Sequence, residues 1–227
     1  MMSSNWREYK ETLNDLRGRG KDILSRSPLV SKVYLILKRK WNLFELRKEI
    51  RVISPLNVVI GAGATHFEGW ISTDQDVFDI TKLADWRFFF KQGSIDRLLA
   101  EHVMEHLSDT ECYTALTEAY RCLRDGGVFR IAVPDGYRRD SDYVKEVAPP
   151  HDGHKQLFTI DSLVPMLQKV GFVTKPLEYF DAEENFHFVD WNERDGYVER
   201  SRRFDKQENF RRGDLCYTSL IVDALKR

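Results

Sequence analysis

The feature that most limits the possible folds is an alternation of strand-like and helix-like runs after Pro55. Short apolar runs of the kind found in buried strands occupy Leu56–Ile60, Trp70–Thr73, Ser94–Ala100 and Val128–Val133. Between the last two lies a helical pattern that starts with a capping box at Ser108 and Glu111, and Gly126-Gly127 is expected to end it. Because strands that alternate with helices build parallel sheets, the pattern predicts an α/β domain.

The last part of the chain predicts strands that follow one another without long helices between them. A helix over about Ile160–Val170, with Gly171 at its end, precedes strand-like runs at Val173–Phe180, Phe186–Val189 and Thr218–Leu225. Consecutive strands of this kind favour an antiparallel arrangement. We therefore expect a mostly parallel sheet with an antiparallel edge at the C-terminal end of the chain.

Residues 1–52 differ in charge from the rest of the chain. They contain 13 Lys+Arg and 6 Asp+Glu, a net charge of +7, so residues 53–227 carry about −8 of the total of −1. Pro28 is a suitable first-turn residue for a helix. Apolar residues at helical spacing follow it: Val30, Val33, Tyr34, Leu37, Trp41 and Phe44. We predict a basic helical extension over residues 1–52 and a main domain over residues 53–227.

Two interpretations of this extension remain open. The helix can pack on its own domain or on a second copy in a homodimer, or it can lie on an anionic membrane surface as a basic amphipathic helix. No apolar run approaches the ~20 residues of a membrane span, and the polar N-terminus lacks the pattern of a signal peptide. Three cysteines without metal-ligand spacing indicate reduced thiols. We expect a cytoplasmic protein, free or peripheral at the inner membrane surface.

The stretch VVIGAGATHFEGWISTDQD, residues 58–76, joins the first two predicted strands through a glycine turn. Gly61 and Gly63 let the backbone approach a ligand closely. A dinucleotide fingerprint needs a third glycine where His66 stands, and a full helix for which only residues 64–69 remain. Asp74 can accept both hydroxyls of a ribose. The pattern therefore favours a nucleoside cofactor without phosphates, and a plain tight turn is the alternative.

Four longer segments carry a resemblance to a known family. They are IGAGATHFEGWISTD, DVFDI (residues 76–80), SIDRLLAEHVMEHL (residues 94–107) and LRDGGVFRIAVPD (residues 123–135). In this order they resemble class I S-adenosylmethionine-dependent methyltransferases. The segments HKQLFTIDSLVPMLQKVGF and YTSLIVDALKR also look like a bacterial subgroup linked to polysaccharide or sugar modification. The resemblance implies a Rossmann-like three-layer sandwich with S-adenosyl-L-methionine as its cofactor.

The resemblance also implies which residues contact the cofactor. Each lies in the glycine turn or just after a predicted strand: Gly61, Ala62, Gly63, Asp74, Gln75, Asp79, Ile80, Glu101 and His102. The glycine turn would pass under the methionine part, Asp74 would hold the ribose hydroxyls, and Asp79 with Ile80 would flank the adenine. Val59 stands where the family often has an acidic residue, so the contact to the amino group of the cofactor is missing or moved.

Three residues are candidates for binding or deprotonating a methyl acceptor: His102, His154 and Asp135. A positioned base contributes roughly 10²–10⁴-fold to a rate. For His102 a role in bracing its loop is the alternative, and for His154 that of a plain loop histidine. His102 and His106 have the i,i+4 spacing of two zinc ligands, but HVMEH is not the HEXXH motif and the sequence indicates no third ligand. We therefore predict no metal site.

The expected activity is the transfer of a methyl group (EC 2.1.1.-) to a small molecule, such as a hydroxyl of a sugar or nucleotide-linked sugar. The alternative is a catalytically silent scaffold with the same fold. Residues 191–213 place six arginines among five acidic residues. This segment is either a solvated, salt-bridged excursion or a lid whose Arg200 or Arg203 holds an anionic acceptor. The net acidic main domain disfavours nucleic acid as a partner.

Overall fold

The structure is a computed structural model that describes residues 28–63, 65–205 and 218–227. These residues form a seven-stranded sheet with the strand order β2-β1-β3-β4-β7-β5-β6. The strands are β1 (Asn57–Ile60), β2 (Ile71–Ser72), β3 (Ile95–Glu101), β4 (Leu123–Val133), β5 (Val173–Phe180), β6 (Phe186–Phe188) and β7 (Leu220–Leu225). All seven lie where the sequence patterns predict strands.

The pairing directions confirm the predicted parallel core and antiparallel edge. Strand β1 runs parallel to β2 and β3, and β3 runs parallel to β4. Strand β7 lies between β4 and β5 and is antiparallel to both, and β6 is antiparallel to β5. The carboxyl ends of β1, β3 and β4 therefore meet at one edge of the sheet, which is where open α/β sheets bind ligands.

Five α-helices accompany the sheet in the described part of the chain. They are α1 (Pro28–Val52), α2 (Leu83–Phe89), α3 (Asp109–Cys122), α4 (Ser141–Val147) and α5 (Ile160–Val170). The predicted capping box opens α3, because the backbone N–H of Ser108 donates to Glu111 Oε2 at 2.7 Å. Helix α5 ends at Gly171, which has the left-handed φ of 115° that favours glycine. Helix α3 contacts both α2 and α5.

The prediction that Gly126-Gly127 ends α3 is wrong. The helix ends at Cys122, and Leu123 already pairs with Ile95 in the sheet. Gly126 has φ 73° and donates its backbone N–H to the Lys226 carbonyl at 2.8 Å. The glycines therefore make the bend at the start of β4, where a side chain would be strained.

Residues 191–198, which follow β6, pack against one face of the sheet. Of these, Trp191 and Val198 are buried in a cluster with one residue from each of the central strands: Val59, Leu99, Ala132 and Ile221. In the described residues 191–205 the predicted ion pairs form, as between Arg203 and Glu193, but the segment is not solvated throughout. Charge counts alone did not indicate this, because two apolar residues, Trp191 and Val198, anchor the segment to the sheet. The rest of this predicted segment lies outside the described residues.

A buried ion pair fixes the same segment to the sheet. Arg130 on β4 donates from Nε to Asp223 Oδ1 at 2.7 Å and from Nη2 to Asp223 Oδ2 at 2.8 Å. Its Nη1 donates to the carbonyls of Asn192 and Gly196, and the guanidinium lies over the ring of Trp191. Each nitrogen of this guanidinium thus has a hydrogen-bond partner, which is the condition under which a buried charge is tolerated.

The N-terminal part of the chain is a separate compact unit, and the boundary between the two units falls after Leu46. Helix α1 begins at Pro28 as expected and runs across this boundary to Val52. The domain limits 1–52 and 53–227 remain a prediction, and what the sequence predicts for residues 1–27 lies outside the described residues. None of the helices in the described ranges combines the length and apolar character needed to cross a bilayer.

Candidate active site

Three cavities open at the carboxyl edge of the sheet. The aspartate cavity has a volume of about 350 Å³ and is lined by Ile60, Gly61, Asp74, Gln75, Asp79, Ile80, His102 and Val103, among others. The smaller glycine cavity, about 140 Å³, shares Ile60 and Gly61 with it and adds Ala62, Thr65, Glu101 and Arg200. The histidine cavity, about 460 Å³, contains His102, His106, His154, Arg138, Arg200 and Ser219. Two of these volumes fall within the range of ~300–1,000 Å³ typical of small-molecule sites.

The glycine turn forms the wall between the aspartate and glycine cavities. Gly61 and Gly63 have φ values of 63° and 52°, which strain any residue with a Cβ. A Cβ on Gly61 would also lie 2.5 Å from Cγ2 of Val103, so the turn and the β3 loop touch at this point. Residues 61–63 and 65–70 contain no helix. A helix N-terminus of the kind that binds pyrophosphate is thus missing from these residues.

Asp74 lies two residues after β2, at the mouth of the aspartate cavity. Its Oδ1 accepts the backbone N–H of Gln75 at 2.8 Å, and no side chain in the described ranges hydrogen-bonds to its carboxylate. Most of its lone pairs therefore face the cavity and solvent. This is the arrangement that a carboxylate needs in order to accept two neighbouring hydroxyl groups.

Asp79 and Ile80 lie deeper in the same cavity and are buried. Asp79 Oδ1 accepts hydrogen bonds from the backbone N–H and the hydroxyl of Thr81, and Oδ2 pairs with Lys82 Nζ at 2.9 Å. Burial raises the pKa of Asp79, but these bonds from Thr81 and Lys82 outweigh it, so the pKa lies below its ordinary value. Asp79 therefore carries a negative charge, and its contacts with Thr81 and Lys82 already compensate most of that charge.

Glu101, at the end of β3, lines the glycine cavity rather than the aspartate cavity. Its two carboxylate oxygens accept the backbone N–H groups of Glu199 and Arg200, at 3.1 and 2.8 Å. Arg200 lines both this cavity and the histidine cavity. The Glu101 carboxylate thus lies in the cavity bordered by the glycine turn, where it could accept a hydrogen bond from an amino group.

His102 lines both the aspartate cavity and the histidine cavity. Its φ of 54° is unusual for a residue other than glycine, and such strain is frequent at functional sites. The ring lies between two polar groups, with Nδ1 3.2 Å from Glu105 Oε1 and Nε2 3.0 Å from Ser219 Oγ. The backbone N–H of His102 donates to the Ala132 carbonyl on β4, which ties the loop to the sheet.

His154 and Asp135 differ in their relation to the cavities. His154 is buried and lines the histidine cavity, with Nδ1 2.6 Å from the carbonyl of Val147. Asp135 is fully buried, lines none of the three cavities, and accepts the backbone N–H groups of Tyr137 and Phe180. Burial raises the pKa of Asp135 to about 6, although these two hydrogen bonds lower it. The three candidates for acting on an acceptor therefore do not form one group.

Several residues of the site were missed by reasoning from the sequence. Glu105 lies in the short helical turn that follows His102 and is buried beside that histidine. Ser219, which is 117 positions away in sequence, contacts the His102 ring. Val103 packs against the glycine turn. The hydropathy pattern marks none of these positions, because each owes its role to a contact between distant segments. Of these residues, only Glu105 could have been suspected from the sequence, because it lies between His102 and His106 in HVMEH.

The fold and the cavities define a class: an α/β protein with a ligand site at the carboxyl edge of its parallel strands, built for a nucleoside without a pyrophosphate cradle. Residues 16–175 match the family described as "Methyltransferase domain", and the chain belongs to this family. Its cofactor is S-adenosylmethionine. The residues present fit this molecule, because Asp74 leaves its carboxylate open to the cavity and the backbone of Gly61 borders the same cavity.

Several solved structures resemble this chain at low sequence identity. A SAM-dependent methyltransferase from Archaeoglobus fulgidus is 17% identical, with 82% of this chain and 92% of that chain covered at a TM-score of 0.44. A possible histamine N-methyltransferase from Thermotoga maritima is 16% identical, with coverage of 88% and 96% and a TM-score of 0.45. Phosphoethanolamine N-methyltransferase 2 from Haemonchus contortus is 17% identical, with coverage of 82% and 52% and a TM-score of 0.41. None of the curated proteins matches the chain.

Proposed function

We propose that this protein transfers a methyl group from S-adenosylmethionine to a hydroxyl of a small anionic acceptor, such as a sugar or a nucleotide-linked sugar. One observation carries this proposal: His102 belongs to the walls of both the aspartate cavity and the histidine cavity. A group bound in the first cavity and an acceptor bound in the second would meet at this residue. We assign the histidine cavity to the acceptor for that reason.

The proposed cofactor site uses the glycine turn and three acidic residues. Asp74 would accept the ribose hydroxyls, with Gln75 beside it, and Asp79 and Ile80 would border the adenine. Ala62 and Gly63 would border the methionine part together with Gly61. Glu101 lies in the glycine cavity and supplies the carboxylate that Val59 cannot. The contact to the amino group is thus moved to the end of β3 in this proposal.

The chemistry requires mainly that the acceptor be positioned. S-adenosylmethionine supplies an electrophilic methyl group on its sulfonium centre. Alignment of reacting groups can contribute up to ~7–11 kcal/mol to the lowering of a barrier. His102 Nε2 would take the proton of the acceptor hydroxyl, in the place now held by Ser219 Oγ at 3.0 Å. The Glu105 carboxylate, 3.2 Å from Nδ1, would stabilise the positive charge that then forms on the ring.

Two arginines support an anionic acceptor. Arg138 and Arg200 both line the histidine cavity, and Arg138 stacks on the ring of Tyr143 in the same wall. A guanidinium binds phosphate or carboxylate oxygens in pairs, which suits a nucleotide-linked sugar. Arg203 is unsuited to this role, because it pairs with Glu193 and donates to the Trp191 carbonyl outside the histidine cavity. Within the proposed lid, Arg200 is therefore the residue assigned to the acceptor.

A substitution of His102 tests the proposed function. We expect His102→Asn to lower kcat by roughly 10²–10⁴-fold in an assay that measures S-adenosylhomocysteine formed with a panel of nucleotide-linked sugars. Asparagine tolerates the positive φ at this position, so the loop is preserved. The Kd of S-adenosylhomocysteine should change less than the rate does. His151→Asn is the matched control, because His151 is exposed and lines none of the three cavities.

Two results would contradict this assignment. Equal losses of cofactor affinity and of kcat in His102→Asn would make the residue a part of the cofactor site alone. An unchanged kcat would remove it from proton transfer. If S-adenosylhomocysteine forms only with acceptors that carry no anionic group, the proposed acceptor class fails while the methyltransferase activity stands.

We further propose that α1 contacts an anionic membrane surface from the cytoplasmic side. Four of its apolar side chains are 41–62% exposed: Tyr34, Leu37, Trp41 and Phe44. The helix carries seven Lys and Arg against two Glu, so its charge complements an anionic lipid surface. We expect Trp41→Ser/Phe44→Ser to weaken binding to vesicles that contain phosphatidylserine, with Phe188→Ser as control. Loss of dimers instead, with vesicle binding unchanged, would assign this face to a second copy.

A further inference from the structure

Three potential metal ligands converge on one wall of the histidine cavity. Glu105, His106 and His154 each place a ligand atom so that all three atoms lie within 4.8 Å of one another. The first two residues belong to the short helical turn after β3, and the third follows the turn 151–153. The cluster comes from segments about 50 positions apart in sequence. A motif search based on the HVMEH spacing therefore finds two of the residues and misses the third.

The buried carboxylate of Glu105 is the group in this cluster whose charge is least compensated by hydrogen bonds. The residue is 1% exposed, and neither of its carboxylate oxygens accepts a hydrogen bond from any residue in the described ranges. His102 Nδ1 lies 3.2 Å from Oε1 but without the alignment of a hydrogen bond. A buried carboxylate that accepts no hydrogen bond is strongly unfavourable, and proteins normally match it with a partner charge or a metal ion. The geometry of Glu105 thus points to a cation.

The surroundings of His154 prepare it to bind a metal ion. Its Nδ1 lies 2.6 Å from the Val147 carbonyl, and because a carbonyl only accepts, Nδ1 must carry the proton. Nε2 is then left with a free lone pair. Metal-binding histidines almost always make such a bond from the nitrogen that does not bind the metal. The backbone of the next two residues, Lys155 and Gln156, donates to the Glu105 carbonyl at 2.8 and 3.1 Å, which holds the two segments together.

We propose that Glu105, His106 and His154 bind a divalent first-row metal ion, with Zn²⁺ as the best match. Two imidazoles and one carboxylate are a ligand set used by catalytic zinc sites, which leave a fourth position open. With ligand distances of about 2.1 Å, tetrahedral geometry needs ligand atoms about 3.4 Å apart, and the three ligand atoms here lie within 4.8 Å of one another. All three residues line the histidine cavity, so the open position faces the space assigned to the acceptor.

The role of the ion rests on the proposed function, whereas the site itself does not. A metal ion in this position would bind an oxygen of the acceptor and lower the pKa of a bound hydroxyl. The hydroxyl proton would pass to His102, and the oxygen would form a bond to the methyl group as the bond from that methyl to the sulfonium sulfur breaks and S-adenosylhomocysteine leaves. The ion therefore selects acceptors with an oxygen donor near the hydroxyl that is methylated. Its charge is unchanged throughout, so no oxidant or reductant is needed.

The test measures metal binding directly, in the absence of cofactor and acceptor. The full chain is prepared without a histidine tag, stripped with a chelator and titrated with ZnCl₂ by calorimetry and with Co²⁺ by visible absorption. We expect one equivalent of each to bind, with the intense absorption bands of tetrahedral Co²⁺. Glu105→Gln and His154→Gln should each weaken binding by more than ~10–100-fold, the effect seen for outer-shell partners. His151→Gln is the matched control and should bind like wild type.

Several outcomes would overturn the proposal. Wild-type protein that binds neither ion, or that binds both with no change in the two variants, has no such site. If a variant fails to fold, as judged by its melting temperature and its Kd for S-adenosylhomocysteine, the Co²⁺ spectrum of the wild type decides alone. A spectrum of octahedral Co²⁺, identical to that of the free ion, would then reject the site. Methyl transfer is not measured in these experiments, so the two proposals fail separately.

Discussion

Replacing Asp74 with alanine is expected to raise the Kd of S-adenosylhomocysteine by about 10²–10⁴-fold. A carboxylate that accepts two hydroxyl groups makes two charge-assisted hydrogen bonds, each worth ~1.5–3 kcal/mol, and every 1.4 kcal/mol is about tenfold in affinity. Asp74 is exposed, and the only hydrogen bond to its carboxylate in the described ranges comes from the adjacent backbone N–H of Gln75. The substitution should therefore leave the fold intact. Calorimetric titration of the variant with S-adenosylhomocysteine measures the effect.

Asp76→Ala is the matched control for this measurement. Asp76 is also exposed and lies two residues further on, but it does not line the aspartate cavity. Its removal changes the net charge by the same amount, so any general electrostatic effect on binding appears in both variants. If Asp74→Ala binds S-adenosylhomocysteine as tightly as Asp76→Ala does, the ribose is held elsewhere and the assignment of the aspartate cavity is wrong.

Replacing Asp223 with alanine is expected to lower the free energy of unfolding by about 3–5 kcal/mol. Removing one partner of a buried pair leaves the other charge uncompensated, and measured losses are of this size. Arg130 is fully buried and gives two of its N–H groups to the carboxylate of Asp223. For a domain of this size the melting temperature should fall by roughly 6–20 °C. Denaturant titration of the two proteins gives the difference in free energy.

An exposed ion pair provides the comparison. Asp142 pairs with Lys145 at 2.8 Å, yet its side chain is 86% exposed. Surface pairs contribute a median of about 0–1 kcal/mol, so Asp142→Ala should change stability by less than ~1 kcal/mol. Equal losses in the two variants would show that burial does not set the strength of the Arg130–Asp223 pair. In that case the segment that carries Trp191 is held to the sheet by its apolar contacts alone.

Local signals made most of the fold predictable. The capping box at Ser108 and the glycine that ends α5 act within a few residues, and the strand runs depend only on their apolar content. The prediction that Gly126-Gly127 ends α3 failed because a bend inside a strand and the end of a helix both use a glycine with positive φ. The segment after β6 could not be placed from its composition, since two buried side chains, Trp191 and Val198, outweigh its many charges.

The site was predictable where its residues follow the ends of strands. The glycine turn, Asp74 and His102 come together because parallel strands end at the same edge of a sheet, which topology alone implies. Contacts between distant segments were not predictable. Ser219 reaches His102 across 117 positions, and Glu105 meets His154 because the backbone after His154 bonds back to it. No periodicity or spacing in a single sequence predicts these contacts between distant residues.

The central claim of the account is that the carboxyl edge of β1 holds S-adenosylmethionine and positions its methyl group beside His102. Calorimetry on the wild-type protein with S-adenosylmethionine, S-adenosylhomocysteine and NAD tests it most directly. We expect the first two to bind with one molecule per chain and NAD to give no heat of binding, since the glycine turn offers no helix for a pyrophosphate. Tight binding of NAD, or no binding of either sulfur nucleoside, would contradict the claim; the latter result would favour a silent scaffold.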